Sequence, residues 1–353
     1  MLTERQMLIL QAVIDAHASL AEPVGSKALA DDPHINASSA TIRNEMSYLE
    51  KLGLLTKMHS SSGRVPTESG YRYYINYILP RYGGLIDRGL SRDQAERVEE
   101  IFASPYTQLA DIIARSTEAM AELTSYVAIA LGPQVTHHRL AAFRIVGMTP
   151  HKAMAILITD QEAVENQVFT IPEGLDEGAL DQLVHLVNEE LVGLPLYEVV
   201  LRLRQDYIHY LDRSVQHLLE KELLIQSLLM KLNEERLNIQ GTDKFYQTLS
   251  KKDEIDQILN LNALLSDQDV VTQLIEEPQT GIQIRIGKEL EDKRLKHMSL
   301  MTSTIGEEDP ANQITFAILG PETMSYLQVA QLFNGMRSAI RRYLDESNEL
   351  RQN

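Results

Sequence analysis

Ser38-Ser39-Ala40-Thr41-Ile42-Arg43-Asn44-Glu45-Met46-Ser47-Tyr48-Leu49-Glu50-Lys51 is the stretch on which the fold turns. Ile42, Met46 and Leu49 stand at i, i+4 and i+7, a spacing that puts all three on one face of a helix. The serines before them offer N-cap oxygens to the first unbonded N–H groups, and Gly53 closes the run. With the apolar face turned inward, the outward face carries Thr41, Arg43, Asn44, Ser47, Tyr48 and Lys51, all with side-chain hydrogen-bond donors.

The flanks complete the pattern. Thr3-Glu4-Arg5-Gln6 has the form of a capping box, and Ile9, Leu10, Val13 and Ile14 repeat behind it at helical spacing. Pro23-Val24-Gly25 breaks the chain, and Ser26 to Ala30 reads as a short second helix closed by Asp31-Asp32-Pro33. Downstream, Leu54 to His59 and Arg64 to Thr67 are extended pieces around Ser60-Ser61-Ser62-Gly63, which predicts a hairpin. A fourth helix, Glu68 to Leu79, is expected before Pro80. Three helices and a hairpin within about 70 residues make a winged helix-turn-helix, whose third helix lies in the DNA major groove. On that reading Arg43 suits a bidentate contact to guanine and Asn44 one to adenine, while Ser47 and Lys51 share their face. Ser26, Lys27, Ser39, Thr41 and Lys57 are placed for phosphates. Arg64, at the wing, has two readings: insertion in the minor groove or a phosphate contact. Tyr48 also has two, a DNA contact or packing against the first helix. Taken singly, an exposed Arg or Lys is most often a solvated charge; the constellation is what points to DNA.

Net charge argues the other way. The chain has 33 Lys and Arg against 50 Asp and Glu, a formal −17, whereas a polyanion is bound by clustered cations. The average hides an asymmetry. Residues 1–84 carry Arg5, Lys27, Arg43, Lys51, Lys57, Arg64, Arg72 and Arg81 against Glu4, Asp15, Glu22, Asp31, Asp32, Glu45, Glu50 and Glu68, so this head is neutral and the deficit falls on residues 85–353.

Several stretches resemble the heat-inducible transcription repressor family HrcA: Pro23-Val24-Gly25-Ser26-Lys27, the run Ser38 to Met46, and His59-Ser60-Ser61-Ser62-Gly63-Arg64-Val65-Pro66-Thr67 followed by Gly70-Tyr71-Arg72. Ile318-Leu319-Gly320-Pro321 with Met324-Ser325-Tyr326 resembles that family's C-terminal motif, although Glu322 stands where a basic residue is expected. The resemblance implies an α+β multidomain repressor. Its parts are a winged helix-turn-helix (1–84), a GAF-like α/β domain in two pieces (85–194 and 279–353), and an inserted helical dimerisation domain (195–278).

The residues themselves fit a split domain. Helices are expected at Ser91 to Phe102, Tyr106 to Leu123 and Gly178 to Leu191. Strands are expected in two blocks, Tyr126–Leu131, Leu140–Val146, Ala153–Thr159 and Val164–Ile171, then Ile282–Gly287, His297–Thr304 and Ile314–Leu319, with a last helix from Glu322 to Tyr343. One sheet interrupted by an insertion would give that order. Between the blocks the pattern is helical. Ile208, Leu211, Val215 and Leu218 recur at 3-4-3 spacing, and Leu223 to Leu232 wraps apolar surface around most of a helix. Such a girdle exceeds what one neighbour covers; it is a core helix or a subunit interface, with Leu211, Val215, Leu218, Leu224 and Leu228 as candidate interface positions.

Catalytic chemistry finds no foothold. The chain has no cysteine, hence no thiolate metal site or thiol nucleophile. His137, His138, His151, His209 and His217 follow no zinc spacing. Gly281 to Lys288 looks like a phosphate loop only until Glu289 takes the place of the required Ser or Thr; a strand is the better reading. No cofactor and no enzyme activity are expected. No apolar run approaches the ~18 residues of a membrane span, and a cytoplasmic protein is expected. The whole reads as a homodimeric repressor of chaperone operons that binds an inverted-repeat operator, with activity dependent on a chaperonin, as the resemblance implies. Two rivals are a regulator whose GAF-like domain senses a small molecule and a chaperonin-binding adaptor with a vestigial head.

Overall fold

The computed structural model describes residues 2–20, 22–58, 63–86, 90–102, 109–133, 138–160, 164–171, 177–203, 236–248, 254–276, 281–305 and 313–352. The expected interface positions Leu211, Val215, Leu218, Leu224 and Leu228, and the wing-tip serines 60–62, lie outside them. The chain divides into two compact units. One comprises Met1–Leu131, Asn238–Ile305 and Thr315–Asn353; the other comprises Gly132–Leu237 and Gly306–Ile314.

The first unit begins with α1 (Glu4–Leu20), α2 (Ser26–Ala30) and α3 (Ser39–Lys51), then β1 (Leu55–Lys57) and β2 (Arg64–Pro66). The capping box at the start forms as read: Thr3 N donates to Gln6 Oε1 at 3.0 Å and Gln6 N to Thr3 Oγ1 at 3.3 Å. Ile9, Leu10, Val13 and Ile14 of α1 are buried with Ile42, Met46 and Leu49 of α3, and Leu29, Leu55 and Val65 join them. Gly53, at φ +74°, ends α3 in the left-handed region where a side chain would be strained. The fourth helix, α4 (Glu68–Tyr73), is shorter than expected: Tyr74–Ile78 is a π-helical turn and Leu79–Tyr82 a 3-10 turn. Pro80 has no N–H for an i−4 bond, and the N–H of Leu79 instead reaches back five residues to Tyr74 O.

After α5 (Gly83–Ile86), α6 (Arg92–Phe102) and α7 (Leu109–Thr124) comes β3 (Val127–Leu131), buried at every position. In the second unit, β4 (Leu140–Thr149), β5 (Lys152–Thr159) and β6 (Val164–Thr170) form an antiparallel three-stranded meander, followed by α8 (Glu177–Glu190) and α9 (Leu196–Arg202). Phe143, Ala155, Leu157 and Phe169 on one sheet face pack with Leu180, Leu183 and Val187 of α8. Asn188 locks helix to sheet edge, accepting from Phe143 N at 3.0 Å and donating to Phe143 O at 2.7 Å. The chain then returns to the first unit through β7 (Leu237–Gln240), α10 (Thr242–Thr248), α11 (Glu254–Leu265), α12 (Gln268–Ile275), β8 (Gly281–Ile286), β9 (Met298–Ile305), β10 (Ile314–Pro321) and the terminal α13 (Tyr326–Gln352).

These strands make a five-stranded sheet in the order β7-β3-β10-β9-β8. β10 runs antiparallel to β3 with Phe316 opposite Ala130 and Ile318 opposite Ala128, and β8 runs antiparallel to β9. The two blocks of strands therefore do not share one sheet: of the first block only β3 joins the second, and β4–β6 stand alone. Because β7 lies beside β3, the excursion from this sheet spans Gly132 to Leu237, earlier than the insertion expected at 195–278. The signal for this boundary was β7 itself, Leu-Asn-Ile-Gln, whose four-residue alternation is too brief to stand out among helical patterns.

Gly70 sits in the first turn of α4, where a Cβ would run into the carbonyl oxygen of Leu54 at the foot of β1. Gly70→Ala should destabilise the protein by about 1–3 kcal/mol through overpacking against rigid backbone. Urea unfolding of the full chain measures it, and a change below about 0.5 kcal/mol would show that the turn yields freely.

Candidate nucleic-acid interface

The outward face of α3 is built by its inward one. Ile42, Met46 and Leu49 have no exposed surface, so the positions between them must point away. Ser38 caps the helix, its hydroxyl accepting from Thr41 N at 3.2 Å. Arg43, Asn44 and Lys51 are exposed, and Tyr48 is 48% exposed. The Tyr48 ring therefore faces solvent and is not packed against the first helix. Lys27 on α2 is exposed too. Among the described residues no carboxylate pairs with Lys27, Arg43 or Lys51, so their charge is available to a ligand.

Other expected contacts are engaged within the head. The Ser26 hydroxyl is buried and 3.1 Å from Ser39 Oγ, which joins the start of α2 to the start of α3. Ser47 donates to Arg43 O at 2.9 Å, a bond within the helix. Thr41 Oγ1 is 3.0 Å from Ser38 Oγ. Lys57, partly exposed, lies 3.5 Å from Glu50 Oε1. Arg64 is held inside the head: only 8% of the residue is exposed, and its guanidinium is bonded to Glu50 and Ser47. Glu50, which the sequence offered no reason to single out, is the acceptor that holds it.

The head is mounted on the five-stranded sheet by a polar and aromatic joint. Arg72 of α4 donates to Ile284 O on β8 at 3.0 Å and pairs with Glu289, which also accepts from Ile286 N at 2.9 Å. Glu68, at the start of α4, accepts from Lys288 N at 3.0 Å. Tyr71 and Tyr74 lie against Tyr326 at the start of α13, with ring centroids 6.0 and 6.4 Å apart. The Tyr326 hydroxyl donates to Glu322 O at 2.8 Å and meets Ser299 Oγ at the same distance. Glu322 thus finds its place beside the head: it is 3.9 Å from His297 Nδ1 and close enough to Glu68 to feel its charge. Burial first, and then the Glu68 carboxylate, push the Glu322 carboxyl above its ordinary range.

Residues 1–76 match the family model described as winged helix-turn-helix transcription repressor, HrcA DNA-binding, and residues 110–330 match that of the HrcA protein C terminal domain. The heat-inducible transcription repressor HrcA of Enterococcus faecalis is 36% identical over 343 residues, covering 96% of each chain. The protein of the same name from Tetragenococcus halophilus is 34% identical over 351 residues, 98% of this chain and 97% of its own.

The chain belongs to the HrcA family of heat-inducible transcription repressors.

As an HrcA family member it carries the winged-helix DNA-binding domain at its N-terminus, which is the head whose exposed α3 face is described above. A solved structure described as a hypothetical protein superposes on this chain with a TM-score of 0.68 at 21% identity, over 97% of this chain and 98% of that one, so the two share a fold. Among the described residues no helix is long and apolar enough to cross a membrane.

The raised Glu322 carboxyl has a definite sign. A carboxyl whose folded pKa exceeds its unfolded one stabilises the fold fully below the unfolded value, and that contribution is lost as pH rises through the folded value. Glu322→Gln, which cannot ionise, should therefore raise Tm at pH 7.5 and leave it unchanged near pH 4. Thermal melts at the two pH values test this; an equal shift at both would assign the effect to packing.

Proposed function

We propose that this repressor reads an inverted-repeat operator upstream of chaperone genes as a homodimer, with α3 of each head in the major groove. The observation that carries the proposal is the unpaired outward row of Arg43, Asn44, Tyr48 and Lys51 on a helix whose other side is sealed in the core. Arg43 has the fork for guanine O6 and N7, and Asn44 the amide for adenine. Lys27 and Lys51, with Ser39, Thr41 and Lys57 at the margins, hold the phosphates that set register. Ser26, Ser47 and Arg64 contribute by shaping this surface, since their polar atoms are engaged inside the head.

Dimerisation follows from electrostatics. A neutral head gathers only local positive charge and an acidic body repels the polyanion, so one head binds weakly; two tethered heads gain effective concentration, and two-fold symmetry matches a palindrome. We assign the subunit contact to the segment bearing Leu211, Val215, Leu218, Leu224 and Leu228, and the GAF-like role to the five-stranded sheet with its helices. Chaperonin dependence completes the proposal. It is supported by apolar surface that an unpaired subunit would leave in water, including Val146, Met148, Val164 and Val168, which are 43–56% exposed. Heat-unfolded proteins that occupy the chaperonin would then relieve repression. Nothing among the described residues favours sensing of a small effector.

Arg43→Ala should weaken operator binding by about tenfold or more and relax preference at one base position, since a bidentate contact is worth about 1–3 kcal/mol. Gel retardation against single-base operator variants reads both effects, and unchanged discrimination would remove Arg43 from base reading. With about three phosphates neutralised per head, log K against log salt should fall with a slope near −5. Replacing Leu224 and Leu228 by Glu should give monomers with folded heads and little operator affinity; dimers that persist in sedimentation would move the contact elsewhere. Adding a purified chaperonin to the repressor should raise its operator-binding fraction.

A further inference from the structure

Glu50 is an acid on the helix that faces DNA, where counterion release alone selects against it. Its surroundings explain why it is there. Lys57 and Arg64 stand directly opposite each other across the β1–β2 ladder, two like charges whose repulsion works to splay the root of the wing. Glu50 takes one on each oxygen. Oε1 lies 3.5 Å from Lys57 Nζ; Oε2 accepts from Arg64 Nε at 3.0 Å and stands 2.9 Å from its Nη2. The same Nη2 donates to Ser47 Oγ at 2.8 Å, and that hydroxyl donates in turn to Arg43 O at 2.9 Å. The backbone of Arg64 meanwhile exchanges two hydrogen bonds of 2.9 Å with Val24, in the segment that leads into α2. Only 10% of the Arg64 side chain meets solvent.

We infer that Glu50 and Arg64 form an internal clip that fixes the wing and the α2 approach against the recognition helix, so that both residues set operator discrimination without touching DNA. They are positioning residues. The clip ends on the carbonyl of Arg43, the residue assigned to base reading, so its loss loosens the helix turn from which that side chain projects. The inference rests on α3 being the surface that reads DNA. It also makes a prediction opposite in sign to simple electrostatics: removing the Glu50 charge makes the DNA-facing side more positive, yet specific binding should weaken, because Lys57 and Arg64 are left to repel each other and the wing is freed.

The test titrates the full-length protein, Glu50→Gln, Arg64→Ala, the double variant and Ser47→Ala into two labelled duplexes over a range of salt. One duplex carries the region upstream of the protein's own gene, and the other is a random sequence of equal length. Glu50→Gln should lose about tenfold on the specific duplex and nothing on the random one. Arg64→Ala should lose a similar factor while keeping the salt slope of the parent, and the double variant should add little to either single change, as coupled residues do. Ser47→Ala spares both charges and removes one anchor of Arg64; it should give a smaller loss at the parent slope, which keeps the test open if Arg64→Ala does not fold by circular dichroism. A slope reduced by about 0.9 for each head in Arg64→Ala means a direct phosphate contact and overturns the inference. Tighter specific binding by Glu50→Gln, or parent affinity in Ser47→Ala, overturns it as well. A parent protein that does not prefer the specific duplex would instead defeat the assignment of α3 as the reading surface, a separate failure visible before any variant is compared.

Discussion

Burial of Ile42, Met46 and Leu49 is the constraint on which the reading surface depends. Each has no exposed area, and each fully buried aliphatic side chain contributes about 1.5–3 kcal/mol. A rotation of α3 by one residue, about 100° of turn, would carry Ile42 into water and push Arg43 towards the core, where an unpaired guanidinium is far costlier than the lost burial. The helix therefore has one azimuth. Arg43, Asn44, Tyr48 and Lys51 point outward because the core leaves them no other direction, and no bond of their own is needed to aim them.

The same economy governs charge. A DNA-binding protein with a formal −17 cannot rely on bulk attraction. It presents a few unpaired cations, Lys27, Arg43 and Lys51, and neutralises those whose positions would distort the fold, Lys57 and Arg64 against Glu50 and Arg72 against Glu289. Affinity then depends on geometry at the head and, for the proposed dimer, on joining two heads. Salt dependence should consequently be moderate, set by the few free cations rather than by a basic surface.

How much of this was legible beforehand follows from the range of the forces involved. The capping box of α1, the Ser38 N-cap, the buried stripe of α3 and the hairpin positions are local, written within a turn or two of helix or a short ladder, and the structure has them where the spacing puts them. The burial of Arg64 is not legible, because a residue at a wing looks exposed along the sequence; the acceptor that holds it, Glu50, is fourteen positions away on another element. The allocation of strands to two sheets was hidden for a similar reason. Their residues mark β3 and β4 as strands equally well, and only the pairing of β3 with β10 and the return through β7 decide that they part company. Glu322 looked anomalous against the family pattern because its neighbours, Glu68 and His297, are brought to it only by the fold.

The motifs that betray the family are consequently not all about DNA. The run from Ser38 to Met46 does present the exposed face proposed to read DNA, but Gly70-Tyr71-Arg72 and the distant Gly320-Pro321 to Tyr326 stretch meet each other instead. Gly70 permits α4 to press on Leu54; Tyr71 then reaches Tyr326, and Arg72 reaches Ile284 and Glu289. Burial pushes the hydroxyls of Tyr71 and Tyr74 well above their ordinary range, so both stay neutral and the contact is uncharged at its centre. Ion pairs at its edge fix direction while the tyrosines supply buried area, the division of labour found in well-packed interfaces. A head held this way is not a bead on a linker. Whatever perturbs β8 or the start of α13 is felt at α4, and through Leu54 at the hairpin that α3 and Glu50 share. Sequence stretches more than two hundred residues apart are thereby bound to a single task, holding α3 and its exposed face still.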